Sequence, residues 1–133
     1  MTLTFLLIED DEIERLKFAR VMQKNSFPHT LIATQNGEEA LAYIEKEHLP
    51  DLIFLDLNMP KMNGLEFLKV LKTNPKLKYI PIVILSTSNN HSDLKESYEI
   101  GAAGYIVKPL KYEDYANKIK RLIAYWEINE FIN

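Results

Sequence analysis

The chain contains no cysteine, which removes disulfide frameworks, thiolate metal sites and cysteine nucleophiles from consideration. Its three histidines, His29, His48 and His91, are too far apart for the i, i+4 pairing of a metalloprotease helix. No apolar run approaches the length of a membrane span, and Met1-Thr2-Leu3-Thr4 lacks the basic opening of a secretory signal. These absences predict a cytoplasmic protein without a membrane anchor. No strong positive balance exists either: the net charge is −3 and the pI about 5.6, so nothing invites direct nucleic-acid binding. Glycine is scarce, with four residues in 133, and no linker, repeat or low-complexity tract divides the chain. A single domain over residues 1–133 is expected, large enough to bury a real core.

What is present alternates. Buried-strand patterns are predicted at about 3–8, 31–35, 51–56, 80–85 and 104–107. Helical spacing falls between them, at about Glu12–Lys24, Glu38–Lys46, around Leu65, Leu68 and Leu71, at about Ser92–Ile100, and finally over about 112–129. Pro28, Pro50 and the Asn74-Pro75 pair stop helices, because the residue before proline disfavours the α region. Five strands alternating with five helices imply an α/β fold, a parallel sheet covered by helices on both faces. In the last helix Tyr115, Ile119, Leu122 and Trp126 share one face. The tail 128–133, with Phe131, has no evident packing partner within one domain, and either docks on another molecule or frays.

The third strand, Leu52-Ile-Phe-Leu55, is apolar throughout, as expected for a strand buried on both faces. It runs directly into Asp56. Ligands in open α/β sheets bind beyond the carboxyl ends of the strands, and an acid there can be a nucleophile, a metal ligand or a ribose binder. The other strand ends narrow the choice. Strand one ends on Glu9 and Asp10, strand four on Ser86 and strand five on Lys108-Pro109. Crowded carboxylates call for a cation, and a hard divalent ion with oxygen ligands, Mg²⁺ or Mn²⁺, suits them. Asp10 and Asp56 are the candidate ligands, the Asn58 backbone carbonyl a third oxygen, and Glu9 an outer or water-bridged partner. Asp11 more naturally begins the first helix. A transferring phosphoryl group needs its three equatorial oxygens neutralised and an in-line nucleophile. The metal, Lys108 and Ser86 can serve the oxygens, and Asp56 can form an acyl phosphate. Each residue also has a plainer reading: Asp56 as a turn former, Lys108 as a solvated lysine, Ser86 as a helix cap.

The acidic pair Glu9-Asp10, the run Leu52 to Pro60 with Asn63-Gly64, Ser86, Gly101-Ala-Ala-Gly104-Tyr105 and Lys108-Pro109 together resemble the receiver domain of two-component response regulators, of the CheY-like, stand-alone kind. Leu85-Ser-Thr-Ser88 and Trp126 are similar to the type paired with bacterial phytochromes. The resemblance implies a flavodoxin-like (βα)5 three-layer sandwich with strand order 2-1-3-4-5. It implies that a histidine kinase, or a histidine phosphotransfer protein, phosphorylates Asp56, and that the Lys108–Pro109 bond is cis. Ser86 and Tyr105 would form the switch, Asn58 and Ser88 would tune phosphate lifetime, and the face of the fourth helix, fifth strand and fifth helix would read out to an unidentified protein target. Dimerisation through the last helices is a further implication. The protein would then be a signalling switch that assists its own phosphorylation and dephosphorylation, not a turnover enzyme.

Three rivals share parts of this pattern. A flavodoxin would carry a Ser/Thr/Gly-rich phosphate loop after strand one, where this chain has acids. A phosphatase of the haloacid dehalogenase type needs a second aspartate two residues after its nucleophile, where this chain has Asn58. A degenerate receiver lacks the acceptor, a metal acid or the lysine, and all three are present here.

Overall fold

A computed structural model describes residues 2–46 and 49–132; Met1, Glu47, His48 and Asn133 lie outside the described residues. Five strands, β1 (Thr4–Ile8), β2 (Thr30–Thr34), β3 (Leu52–Leu55), β4 (Ile82–Ser86) and β5 (Gly104–Val107), alternate with helices α1 (Glu12–Lys24), α2 (Gly37–Lys46), α3 (Gly64–Lys72), α4 (His91–Ile100) and α5 (Tyr112–Glu127). All pairings are parallel and the sheet order is β2-β1-β3-β4-β5. That is the flavodoxin-like order the resemblance implied.

Side-chain alternation along the strands builds the two faces. Leu6, Ile8, Ile53, Leu55, Ile82 and Ile84 point one way, onto Ala40 and Ile44 of α2 and Phe67, Leu68 and Leu71 of α3. Phe5, Leu7, Leu52, Phe54, Val83 and Leu85 point the other way, onto α1 through Phe18, Val21 and Met22, and onto α5 through Tyr115, Ile119 and Ile123. The central strands β1, β3 and β4 are covered on both sides, which is why they read as continuous apolar runs. Each fully buried Leu, Ile or Phe contributes roughly 1.5–3 kcal/mol of transfer free energy. These central strands therefore form the rigid frame beneath the loops at their C-terminal edge.

Several boundaries differ from the sequence reading, each for a local reason. The fourth strand begins at Ile82, not Ile80, because Pro81 has no N–H for the ladder; its carbonyl still accepts from the Ile53 N–H at 3.0 Å. β1 starts at Thr4, because the Leu3 N–H is given to Nδ1 of His29 at 3.0 Å. β3 spans only Leu52–Leu55, flanked by Asp51, whose carboxylate takes the Thr4 N–H at 2.8 Å. β2 includes Thr30 and ends at Thr34. α5 ends at Glu127, where Ile128 and Asn129 turn their N–H groups back to Tyr125 and Trp126 in a tighter, three-residue pattern. Lys108–Pro109 is trans rather than cis, the form favoured by about 0.5–1 kcal/mol for an X–Pro bond.

The end of α5 is anchored. His29, buried, donates from Nε2 to Glu127 at 2.7 Å, while its Nδ1 accepts from Leu3. Phe131, expected to lack a partner, packs half-buried on Trp126 with ring centroids 6.1 Å apart. On the expected stripe Tyr115 and Ile119 are buried and Leu122 and Trp126 only partly so; Ile123 completes the buried face.

Candidate functional site

The ladder continues one residue past the strands and fixes the groups at their ends. The Glu9 N–H bonds Thr34 O at 3.0 Å, Asp56 N–H bonds Ile8 O at 3.0 Å, and Lys108 N–H bonds Ser86 O at 2.8 Å. Backbone register thus holds Glu9, Asp56 and Lys108 at the same sheet edge. Carboxylate oxygens of Glu9, Asp10 and Asp56 lie within 4.8 Å of one another. Glu9 and Asp56 are buried, whereas Asp10 is exposed, so the acidic cluster opens to solvent on one side. Three hard oxygen donors converging in this way fit a divalent cation such as Mg²⁺ or Mn²⁺.

Lys108 is nearly enclosed, with 8% of its side chain exposed. Its ammonium is bonded to Glu9 Oε1 and stands 3.4 Å from Glu14 Oε1 on α1. Burial alone would lower the lysine pKa, but the Glu9 hydrogen bond and the charges of Glu9, Asp56 and Glu14 outweigh it and raise the pKa. Asp56 shows the reverse balance. Burial, followed by the charges of Glu9 and Asp10, outweighs the attraction of Lys108 and the Asn58 N–H, lifting its pKa from 3.8 to about 7. Lys108 spends its charge on Glu9 and Glu14, so the acids remain short of positive charge.

That imbalance has a measurable result. A cation entering the cluster must displace the proton on Asp56 whenever the pH is below about 7. Mg²⁺ affinity is therefore expected to be flat above neutrality and to fall roughly tenfold per pH unit below it, with about one proton released per ion. Titration calorimetry at pH 6 in two buffers of different ionisation enthalpy reads the proton directly. Equal heats in both buffers would contradict the assignment.

Ser86 is fully buried, and its hydroxyl accepts the Ser88 N–H at 3.0 Å. Tyr105, half-buried, donates its hydroxyl to Ser88 O at 2.9 Å. Asn58 is exposed in the loop after β3, where its N–H faces Asp56. Asp11 stands outside the cluster as N-cap of α1, accepting from Ile13 N–H at 2.8 Å. Sequence reading missed two residues of the site. Glu14 is the second carboxylate on Lys108, and Arg15 donates from Nη1 to the Glu9 carbonyl at 2.7 Å. The signal available for both was their place in the first turn of a helix that begins at the sheet edge carrying the acids.

The order of strands, the acids that follow β1 and β3 and the lysine after β5 define the receiver fold. Residues 5–120 match the family model described as response regulator receiver domain, and the chain belongs to that family, the receiver modules of two-component systems. Among curated proteins it is 34% identical over 127 residues to the response regulator Rcp1 of Synechocystis sp., covering 91% of this chain and 86% of that protein. The structure superposes on that of the phosphorylated cyanobacterial phytochrome response regulator RcpA with a TM-score of 0.94, at 31% identity and full coverage of both chains. The Mn²⁺-bound form of Rcp1 gives a TM-score of 0.91 at 32% identity, covering 98% of this chain and 99% of the other. Receiver domains are signalling switches rather than turnover enzymes. Among the described residues no helix is long and apolar enough to cross a membrane.

Proposed function

We propose that this single domain is a phosphorylatable receiver that works in the cytoplasm and takes its phosphoryl group on Asp56. The observation that carries the reading is the buried Asp56 carboxylate, grouped with Glu9 and Asp10 and raised in pKa by burial and by the charges of those two acids, at the sheet edge that also holds Lys108. The donor is a phosphohistidine on a histidine kinase or histidine phosphotransfer protein. Because relatives in sequence and structure include a phytochrome response regulator, a phytochrome-type kinase is the first donor to try.

An Asp56 carboxylate oxygen attacks phosphorus, the P–N bond to the donor imidazole breaks, and the aspartyl phosphate forms. Mg²⁺ or Mn²⁺, when bound by Asp10, Asp56 and the Asn58 carbonyl with Glu9 in the outer layer, supplies positive charge against the phosphoryl oxygens. Lys108 supplies a second positive charge; its ammonium already carries its proton and needs only to swing from Glu14 and Glu9 toward the new group. Ser86 donates a hydrogen bond from its hydroxyl to a further oxygen. Tyr105 and α4 repack as the β4–α4 loop follows Ser86, and the α4–β5–α5 face presents the change to a protein target. That target responds only to the extent that its affinity differs between the two states. Asn58 and Ser88, flanking the phosphoryl position, set how readily water reverses the step.

The test is intact-protein mass after incubation with Mg²⁺ and acetyl phosphate. A gain of one phosphoryl group, roughly 80 Da for an acyl phosphate on a carboxylate nucleophile, is the expected result. Absence of the gain with both acetyl phosphate and a phosphorylated histidine kinase would overturn the reading.

A further inference from the structure

Ser88 uses every polar group it has. Its N–H goes to Ser86 Oγ at 3.0 Å, and its carbonyl accepts the Tyr105 hydroxyl at 2.9 Å. Its own hydroxyl donates to Asp93 Oδ2 at 3.0 Å and accepts the Asn90 N–H at 3.1 Å. One residue therefore joins the buried hydroxyl at the end of β4, the aromatic on β5 and the first turn of α4. A serine hydroxyl has one proton and two lone pairs. With one lone pair of Ser86 occupied by the Ser88 N–H, the oxygen is oriented and its proton is left to be given to an acceptor.

α4 is weakly rooted in the core: Ser97 is the one residue of the helix that is buried. The β4–α4 loop is consequently held to the helix by polar bonds rather than by packing. Asp93 is the carboxylate among them, and it is itself fixed at both ends. Its N–H is capped by Asn90 Oδ1 at 3.3 Å, and its carbonyl accepts the Ser97 hydroxyl at 2.7 Å.

We infer that Asp93 is a positioning residue for phosphoryl transfer: by holding the Ser88 hydroxyl it orients the Ser86 hydroxyl as a donor to the phosphoryl group. The inference rests on the phosphoacceptor reading of Asp56 for its consequence, although the Asp93–Ser88–Ser86 chain stands on the structure alone. A carboxylate in the first turn of a helix also helps simply by facing the positive end of the macrodipole. That contribution does not depend on Ser86, and the two roles separate on this point.

The experiment is a double-mutant cycle on the rate of phosphoryl uptake from acetyl phosphate in Mg²⁺, with Asp93→Ala, Ser86→Ala and the pair. Loss of one partly exposed hydrogen bond to a charged acceptor is expected to slow uptake roughly three- to tenfold in Asp93→Ala. The pair should be no slower than Ser86→Ala, since Asp93 acts through a hydroxyl that is already gone. Asp93→Asn, which keeps an accepting oxygen and disturbs the helix least, should recover at least half of the wild-type rate. An unchanged rate in Asp93→Ala, or the same fold-loss in the Ser86→Ala background, would overturn the inference. Amide hydrogen exchange at Ser88 in the unphosphorylated protein supplies an independent arm. Exchange several-fold faster in Asp93→Ala than in wild type, at matched thermal midpoint, supports the linkage, and equal exchange refutes it. Wild type that takes no label fails the phosphoacceptor reading, and the exchange arm still decides the linkage.

Discussion

Asp56→Asn is expected to abolish phosphoryl uptake and, at the same time, to make the metal-free protein more stable. The first half follows from chemistry, because an amide cannot replace the carboxylate as nucleophile. The second follows from the crowding of acids. Asp56 has a folded-state pKa of about 7 against 3.8 for the free side chain, so the folded protein binds the proton more tightly than the unfolded chain does. Its stabilising contribution is complete below about pH 4 and is lost as the pH rises through 7. Above neutrality the buried charge opposes folding. A shift of this size corresponds to about 4 kcal/mol at 1.36 kcal/mol per unit, and solvent reaching the cluster beside exposed Asp10 reduces it to about 2 kcal/mol. The amide keeps the shape and removes the charge. In EDTA at pH 8 the variant should melt about 5–8 °C above wild type, and the gap should close as the pH falls toward 4. Adding Mg²⁺ should close it from the other side, because only wild type gains strongly from the ion. Calorimetric scans across pH, with and without Mg²⁺, test each part. A variant that melts below wild type in EDTA at pH 8 would contradict the charge-crowding account.

Gly64→Ala is the second substitution with a large expected effect, although it changes no functional side chain. A Cβ at Gly64 would lie 2.5 Å from the Asp56 carbonyl oxygen and 2.6 Å from the Leu57 Cα. Both atoms belong to the backbone, so no rotamer change relieves the contact. The Gly64 N–H also closes the loop onto Leu57 O at 2.9 Å. The corner between β3 and α3 must open, and it carries Asp56 with it. Overpacking of this kind costs about 3 kcal/mol, or about 10 °C in the thermal midpoint of a chain of this size. Since a misplacement near 1 Å can cost on the order of 100-fold in rate, phosphoryl uptake should fall at least roughly tenfold even at temperatures where the variant is folded. Gly104→Ala is the internal control. There the added Cβ meets a Val83 methyl at 3.7 Å, an ordinary contact, and the expected change is about 0.5 kcal/mol or less. Similar losses in the two variants would show that the close approach at Gly64 is not what restrains the loop.

The strands and most helix limits were legible because local rules govern them. Apolar runs bounded by proline and by acids are too short for helices and read as buried strands, and α1 begins where Asp11 caps it and ends at Lys24. Placing functional groups at the strand ends required one more rule, that parallel strands bring their carboxyl ends to one edge; the structure brings Glu9, Asp10 and Asp56 together there, with Lys108 against Glu9. The ends of elements were less legible, because a single turn or a single missing donor decides them. Phe131 meets Trp126 only because Ile128 and Asn129 turn the chain back at the end of α5, a turn that no residue pattern in the tail announces. Ile80 is apolar and buried and so extends the strand pattern, yet β4 starts at Ile82 because Pro81 interrupts the donors that make a strand.

By itself the sequence determined the alternating elements, the acidic cluster at the strand ends and the lysine that follows β5, because each depends on neighbours in the chain or on a topology that alternation nearly dictates. Tertiary structure decided the allegiances among those groups. Lys108 pairs with Glu9, 99 positions away, and with Glu14. Ser88 gathers Ser86, Tyr105 and Asp93 into one chain of hydrogen bonds. Such choices turn on ångström differences among several acceptors of the same chemical kind. Residue identity says which groups can bond, and only the packed register of strands and helices says which of them do.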